Sequence, residues 1–173
     1  MTITCPGCGL THPDLGLPAV PGRRASGECA REAGDVQAPF YQPGLYELRQ
    51  YVVDAYTCLH PDGSTRRGIQ STALCLMTMD LYLEAGQPVS QGAAMHQEMA
   101  VARTGPFAIL QPPDVSGALT HRHLADASTE QRPRLAEEWA RSVWDAWSPH
   151  HEQVRTWNRE LVPHRLTGSA GKG

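Results

Sequence analysis

Residues 70–85, with the sequence QSTALCLMTMDLYLEA, form the most apolar helical stretch of this chain. The apolar side chains cover a wide arc of a helix and not a narrow stripe, which is typical of a helix surrounded by others. The stretch is shorter than the roughly 20 apolar residues that a membrane-spanning helix requires. We therefore expect a central buried helix with further helices packed around it.

Two helices are predicted on the N-terminal side of this segment. Ser26 is suited to cap a short helix over residues 28–38, which places Cys29 in its first turn. Apolar residues then recur at three- and four-residue intervals over residues 45–59, and a proline ends this second helix at His60. The spacing is that of a helix face packed against its neighbours.

Further helices are predicted on the C-terminal side. They are expected at residues 90–103 and 120–127, after Pro133, and again after Ser148-Pro149, where the chain breaks and restarts. No alternating stretch is long enough to require a sheet, so the pattern predicts an all-α fold, a helical bundle. The residues expected to form its core are Leu45, Leu48, Val52, Leu74, Met77, Leu81, Leu135, Trp139, Val143, Trp157 and Leu161.

The chain is expected to form a single domain over residues 1–173, since this length can bury a sizeable core. Residues 1–26 are rich in proline and glycine and show no apolar periodicity, which predicts an irregular arm. Residues 27–165 would then be the helical bundle. The small and polar residues 166–173 predict a mobile tail.

Composition excludes several functional classes. The net charge of −3 gives no large basic field, so we expect no nucleic-acid partner. No apolar run suits a membrane, and no export signal is seen, which predicts a cytoplasmic protein with no membrane partner. The five cysteines should then remain reduced, and a pair spaced as CxxC suggests metal binding or redox activity.

Cys5-Pro6-Gly7-Cys8-Gly9 is the stretch with the most specific chemistry. Two thiolates separated by two residues can bind one metal ion from a tight turn, and the glycine after the second cysteine lets the backbone fold back. A redox role is less suitable, because such motifs usually follow a buried strand and only four residues precede Cys5. The stretch therefore predicts half of a structural zinc site.

Two more ligands must come from separate positions. Cys29 is the preferred third ligand, because the dipole at a helix start favours a thiolate. His60 is the preferred fourth, since it closes a helix and faces away from the apolar stripe; Cys58 and His12 are alternatives. A histidine at a helix C-terminus is favourable without any metal, so the fourth ligand stays open. Cys75, inside the most apolar helix, is expected in the core.

His150 and His151 are the candidate catalytic residues. Counted along the last helix, His150 falls on the stripe formed by Val154, Trp157 and Leu161, and His151 is rotated from it by about 100°. Either imidazole can act as a general base or a metal ligand, or it can simply bond to a backbone carbonyl.

The other polar residues suggest no site. His121 and His123 are two positions apart at a predicted helix start and cannot face the same direction. Asp54, Asp80 and Asp145 fall within helical stretches, where we expect exposed carboxylates. No glycine-rich phosphate loop and no Gly-x-Ser-x-Gly elbow is found, so neither nucleotide nor serine hydrolysis is supported.

Several motifs, taken in order, resemble an uncharacterised bacterial family over roughly residues 5–158. They are Cys5-Pro6-Gly7-Cys8-Gly9, Val53-Asp54-Ala55-Tyr56 followed by His60-Pro61, Gln70-Ser71 with Leu76-Met77, and residues 139–147 (WARSVWDAW) with His150-His151. The resemblance implies Cys5, Cys8, Cys29 and His60 as one ligand set and makes Cys58 and Cys75 less suitable. It implies no activity.

Two functions are compatible with these residues. The first is a zinc-binding accessory protein, with a chiefly structural metal and a protein or small-molecule partner that the sequence does not identify. The second is a zinc-dependent enzyme for hydrolysis or proton transfer, with His150 and His151 near the metal. The position of these two histidines relative to Cys5 and Cys8 should distinguish the two.

Overall fold

The computed structural model describes residues 1–167, which are mostly helical and carry one small two-stranded sheet. The strands are β1 (Thr2–Thr4) and β2 (Thr11–Pro13), and short 3-10 turns join several of the helices. The helices of the described residues are α1 (Gly27–Gln37), α2 (Arg49–Leu59), α3 (Arg66–Leu83), α4 (Gly92–Ala102), α5 (Arg132–Ala146), α6 (His151–Leu161) and α7 (Pro163–Thr167). A helical bundle is thus the observed architecture, as the sequence predicts.

Helix α3 lies at the centre of the bundle. It packs against α2, α4, α5 and α6, and every residue from 72 to 82 is buried. The helix begins earlier than the expected residue 70, because the Thr65 hydroxyl accepts a hydrogen bond from the Gly68 amide at 3.0 Å and caps a polar first turn. The apolar arc predicts the buried part of α3, and the cap sets its true start.

The predicted core is largely confirmed. Eight of the eleven residues are buried, and Leu48, Leu135 and Leu161 are partly buried where they lie at helix ends. The indole of Trp147 is also buried, and its N–H donates to the Cys58 carbonyl at 3.0 Å. This bond joins the end of α5 to the end of α2, close to His60.

The arm is more regular than we predicted. Strands β1 and β2 pair antiparallel, with Ile3 opposite His12, so the Cys-Pro-Gly-Cys-Gly stretch is the turn of a hairpin. Each strand has three residues, too few for an alternating pattern to be recognised in the sequence. The expected helix over residues 28–38 is confirmed as α1, and the Ser26 hydroxyl accepts from the Cys29 amide at 3.2 Å.

Two expectations concern the ends and surface of the fold. The predicted tail at residues 166–173 begins inside α7, and residues 168–173 lie outside the described part of the chain. A search of the described helices finds none that is both long enough and apolar enough to cross a bilayer.

Candidate metal centre

Three separate segments bring four ligand-type side chains together. One ligand atom from each of Cys5, Cys8, Cys29 and His60 lies within 4.8 Å of all the others, and the four residues are buried. The first two come from the hairpin turn, Cys29 from the first turn of α1, and His60 from the end of α2. These are the four positions that the sequence analysis favoured, and the group can hold a metal ion.

The hairpin turn is shaped by its own backbone. The Cys5 amide donates to the Leu10 carbonyl at 2.8 Å, and the Gly9 amide donates to the Cys5 carbonyl at 3.0 Å. Gly9 has a φ of +76°, in the left-handed region that a residue with a Cβ rarely adopts. The chain can therefore reverse immediately after Cys8, which leaves both thiols on the inner side of the turn.

Gly7 lets this turn lie directly against the end of α2. A Cβ at position 7 would be 2.4 Å from the Arg24 carbonyl oxygen and 2.6 Å from the His60 ring. Neither distance is compatible with a normal contact. The Arg24 amide also donates to the His60 carbonyl at 3.1 Å, so the segment after the hairpin is anchored at the same place.

His60 is held with one ring nitrogen turned to the cysteines. Its Nδ1 lies 2.7 Å from the Tyr56 carbonyl and must donate, because that oxygen only accepts. In the neutral ring, Nε2 then carries the lone pair, and it lies 3.4 Å from Cys29 Sγ. A backbone carbonyl on the opposite nitrogen is the usual way in which a metal-binding histidine is oriented.

The protonation states of these four side chains depend on one another. Without a metal, hydrogen bonds from the Cys29 and Cys8 thiols lower the pKa of the Cys5 thiol. Hydrogen bonds with Cys5 and Cys8 raise the pKa of the Cys29 thiol. Burial alone would lower the pKa of His60, but hydrogen bonds to Cys5 and Cys8 outweigh burial and raise it to about 9. Without a metal, the group thus favours a Cys5 thiolate paired with a protonated His60. A divalent cation can replace the extra proton of the imidazolium and the protons of the remaining thiols.

A polar cluster connects the hairpin to α1 beside the candidate metal centre. The carboxylate of Glu32 bonds to the guanidinium of Arg122 and lies 2.8 Å from Nδ1 of His12. Hydrogen bonding to Arg122 is the main reason why the pKa of Glu32 falls to about 2. His12, considered as a fourth ligand, is therefore engaged with Glu32 and lies outside the group of four.

The remaining candidates lie elsewhere. Cys58 is buried in the core outside the group, and neither His150 nor His151 belongs to any ligand group found in residues 1–167. Nε2 of His150 donates to the Gln111 carbonyl at 2.8 Å, and Nε2 of His151 donates to the Trp144 carbonyl at 2.9 Å. Both imidazoles therefore hydrogen-bond to backbone carbonyls. Of the roles considered from the sequence, this is the one that involves neither catalysis nor metal binding.

A second group was missed by the sequence analysis. Asp54 of α2, Cys75 of α3 and His96 of α4 each place one ligand atom within 4.8 Å of the other two. The expectation of exposed carboxylates was wrong for Asp54 and for Asp80, which are both buried. Burial raises the pKa of Asp54 to about 7 and also raises that of Asp80. The burial of Cys75 is as predicted.

Comparison with known proteins gives one match. The family described as "Family of unknown function (DUF5946)" matches residues 3–148, which include all four residues of the candidate metal centre. No curated protein and no solved structure matches the chain. The matched part is most of the described chain, so the protein belongs to DUF5946, a family of unknown function.

Proposed function

We propose that Cys5, Cys8, Cys29 and His60 hold one zinc ion that fixes the N-terminal arm to the helical bundle. The ion has a structural role. The protein acts as a binding or accessory protein, with a protein or a small molecule as its partner.

The observation that carries this proposal is the convergence of four buried ligand atoms within 4.8 Å from segments far apart in the sequence. Three sulfurs and one imidazole are a donor set typical of structural zinc. The ring of His60 is already oriented by Tyr56, and Gly7 makes room for the turn. These features suit a metal site, and none is required by a reduced thiol in a core.

The ligand count supports a non-catalytic metal. Four protein ligands complete a tetrahedral zinc site and leave no position for water or substrate. The alternative, a hydrolytic or proton-transfer enzyme with His150 and His151 near the metal, has no supporting contact, because both residues bond to backbone carbonyls.

Elemental analysis of purified untagged protein tests the ligand set. We expect each of Cys5→Ser, Cys8→Ser, Cys29→Ser and His60→Gln to contain one zinc ion per chain fewer than the wild type. Cys58→Ser is the matched control, since Cys58 is a buried cysteine outside the group. A zinc content of the Cys29→Ser protein equal to that of the wild type would remove Cys29 from the set.

Cobalt substitution of the His96→Gln protein, in which the group of Asp54, Cys75 and His96 is incomplete, tests whether the centre is closed. Tetrahedral Co²⁺ bound to three thiolates and one imidazole should give a visible spectrum that added azide or cyanide leaves unchanged while the metal stays bound. A spectral change produced by azide in the cobalt protein would indicate an open coordination position and would contradict the structural role.

A further inference from the structure

Three helices meet at Asp54, Cys75 and His96, outside the candidate metal centre. The three residues are widely spaced in the sequence, and only the packing of α2, α3 and α4 brings their ligand atoms within 4.8 Å of one another. Carboxylate, thiol and imidazole are three different ligand types, each common at metal sites.

Asp54 is a fully buried carboxyl group without an ion pair. It has no salt-bridge partner within 4.0 Å among residues 1–167, and Arg23, which contributes positive charge nearby, donates to the Ser71 hydroxyl. Its oxygens accept from Gln50 Nε2 at 2.7 Å and from the Tyr82 hydroxyl at 3.2 Å. The Cys75 thiol also hydrogen-bonds to this carboxyl group. These bonds orient the carboxyl group, and a cation would take the place of the thiol proton between the two side chains.

His96 adds an independent observation. Its Nδ1 is buried and has no hydrogen-bond partner within the described chain. Burial also lowers the pKa of this imidazole, which favours the neutral form that binds metals. A buried polar atom without a partner is costly and uncommon, and a bound ion is one of the few ways to satisfy it.

The packing of α4 maintains this arrangement. Gly92, at the start of α4, lies so close to α2 that a Cβ there would be 2.4 Å from Gln50 Cγ. Gln50 is the residue that donates to Asp54. The absence of a side chain at position 92 therefore lets α4 approach α2 and bring His96 towards the carboxyl group.

We propose that Asp54, Cys75 and His96 form a second metal site, which binds a divalent transition metal ion of the zinc class. A thiolate and an imidazole favour such ions over calcium or magnesium, which prefer oxygen ligands. Binding replaces the thiol proton of Cys75 by the metal and releases that proton to solvent. Three protein ligands leave one position for water, in contrast to the four ligands of the first centre.

Zinc stoichiometry of the full-length protein tests the proposal. After loading with excess Zn²⁺ and gel filtration through citrate, which removes weakly held surface ions, we expect two ions per chain in the wild type. His96→Gln and Cys75→Ser should each bind one. Cys58→Ser and His150→Gln are the matched controls and should bind two. Cys29→Ser should lose the first ion and keep the second, which separates this proposal from the function proposed above.

A single wild-type ion that is lost in Cys29→Ser and kept in His96→Gln would overturn the proposal, and so would two ions in His96→Gln. A single wild-type ion that is kept in Cys29→Ser and lost in His96→Gln would instead support the second site and contradict the first. If Cys75→Ser fails to fold, the His96→Gln variant still provides the test, because His96 is only partly buried and its replacement should disturb the core less. In the Cys29→Ser background, Co²⁺ should give thiolate-to-metal absorption that disappears on the additional change Cys75→Ser. Absorption that persists would assign the ion to another thiol.

Discussion

Residues 1–26 contain six large apolar side chains and bury none of them, whereas α3 buries every residue from 72 to 82. The apolar residues that the arm does bury are Cys5, Cys8 and Ala25. The hydrophobic effect therefore stabilises the bundle but contributes little to the arm. We expect the arm to depend on its ligand group and on polar contacts, so the two regions should respond differently to the same perturbation.

Removal of the proposed zinc ion from the candidate metal centre should have the largest effect. Structural zinc binds with an apparent free energy of about 10 kcal/mol or more, and we expect the arm to lose most of this stabilisation while the bundle stays helical. Amide hydrogen exchange with and without a strong chelator measures this change. Fast exchange in residues 1–26 with retained protection in α3 is expected; unchanged protection in the arm would show that it folds without the metal.

Trp139→Ala should destabilise the helical bundle, whereas the first perturbation affects the arm. Trp139 is fully buried in α5, and its truncation should reduce the free energy of unfolding by about 3–5 kcal/mol. Urea unfolding followed by helical circular dichroism measures the change. The control Tyr41→Ala, at an exposed aromatic residue, should shift the same quantity by no more than about 0.5 kcal/mol. Equal effects of the two changes would contradict the assignment of Trp139 to the core.

Gly7→Ala should weaken the junction between the two regions. The new methyl group would lie 2.4 Å from the Arg24 carbonyl and 2.9 Å from that of Leu59, so backbone must move, at a cost of about 1–3 kcal/mol. We expect weaker zinc binding in competition with a chromophoric chelator. The control is Gly34→Ala in α1, where the space is open and alanine should stabilise the helix by up to about 1 kcal/mol. Identical zinc affinities would show that the turn tolerates a side chain.

Glu32→Gln should have the smallest effect on the free energy of unfolding. This effect should be present only at pH values where the Glu32 carboxylate is ionised in the folded protein. The pKa of Glu32 is lowered to about 2 in the folded protein, below its usual value of 4.5, so its stabilisation is present above pH 4.5 and is lost as pH falls towards 2. Because the carboxylate is one-third exposed, solvent limits the contribution to less than about 1 kcal/mol. Urea unfolding at several pH values should show the variant less stable at pH 7 and equal near pH 2. A constant difference would assign the effect to another cause.

Local signals account for what the sequence could predict. Ser26, Pro133 and Pro149 act within one helical turn, and the helices that they begin lie close to where we placed them. The spacing of Cys5 and Cys8 is equally local. Cys29 and His60 could be proposed as ligands because each lies at a helix end, where a side chain is free to meet another segment.

The features that were missed depend on residues far apart. The hairpin has only three residue pairs, and the turn between its strands fixes their register. Asp54 looked like an ordinary helix carboxylate because its neighbours Cys75 and His96 belong to two other helices. No pattern within α2 shows that α4 approaches closely enough to cover it. Burial of a polar group of this kind becomes visible only when the helices are assembled.

Helix α6 lies beyond residue 148, where the family match ends, yet it completes the bundle. Val154 and Trp157 are buried, and Asn158 Nδ2 donates to the Met77 carbonyl at 3.0 Å and to Asp80 at 2.8 Å. A protein shortened to the matched residues would expose one side of α3 to water and would be prone to aggregate. The stretch that the family model matches is therefore shorter than the unit that we expect to fold cooperatively.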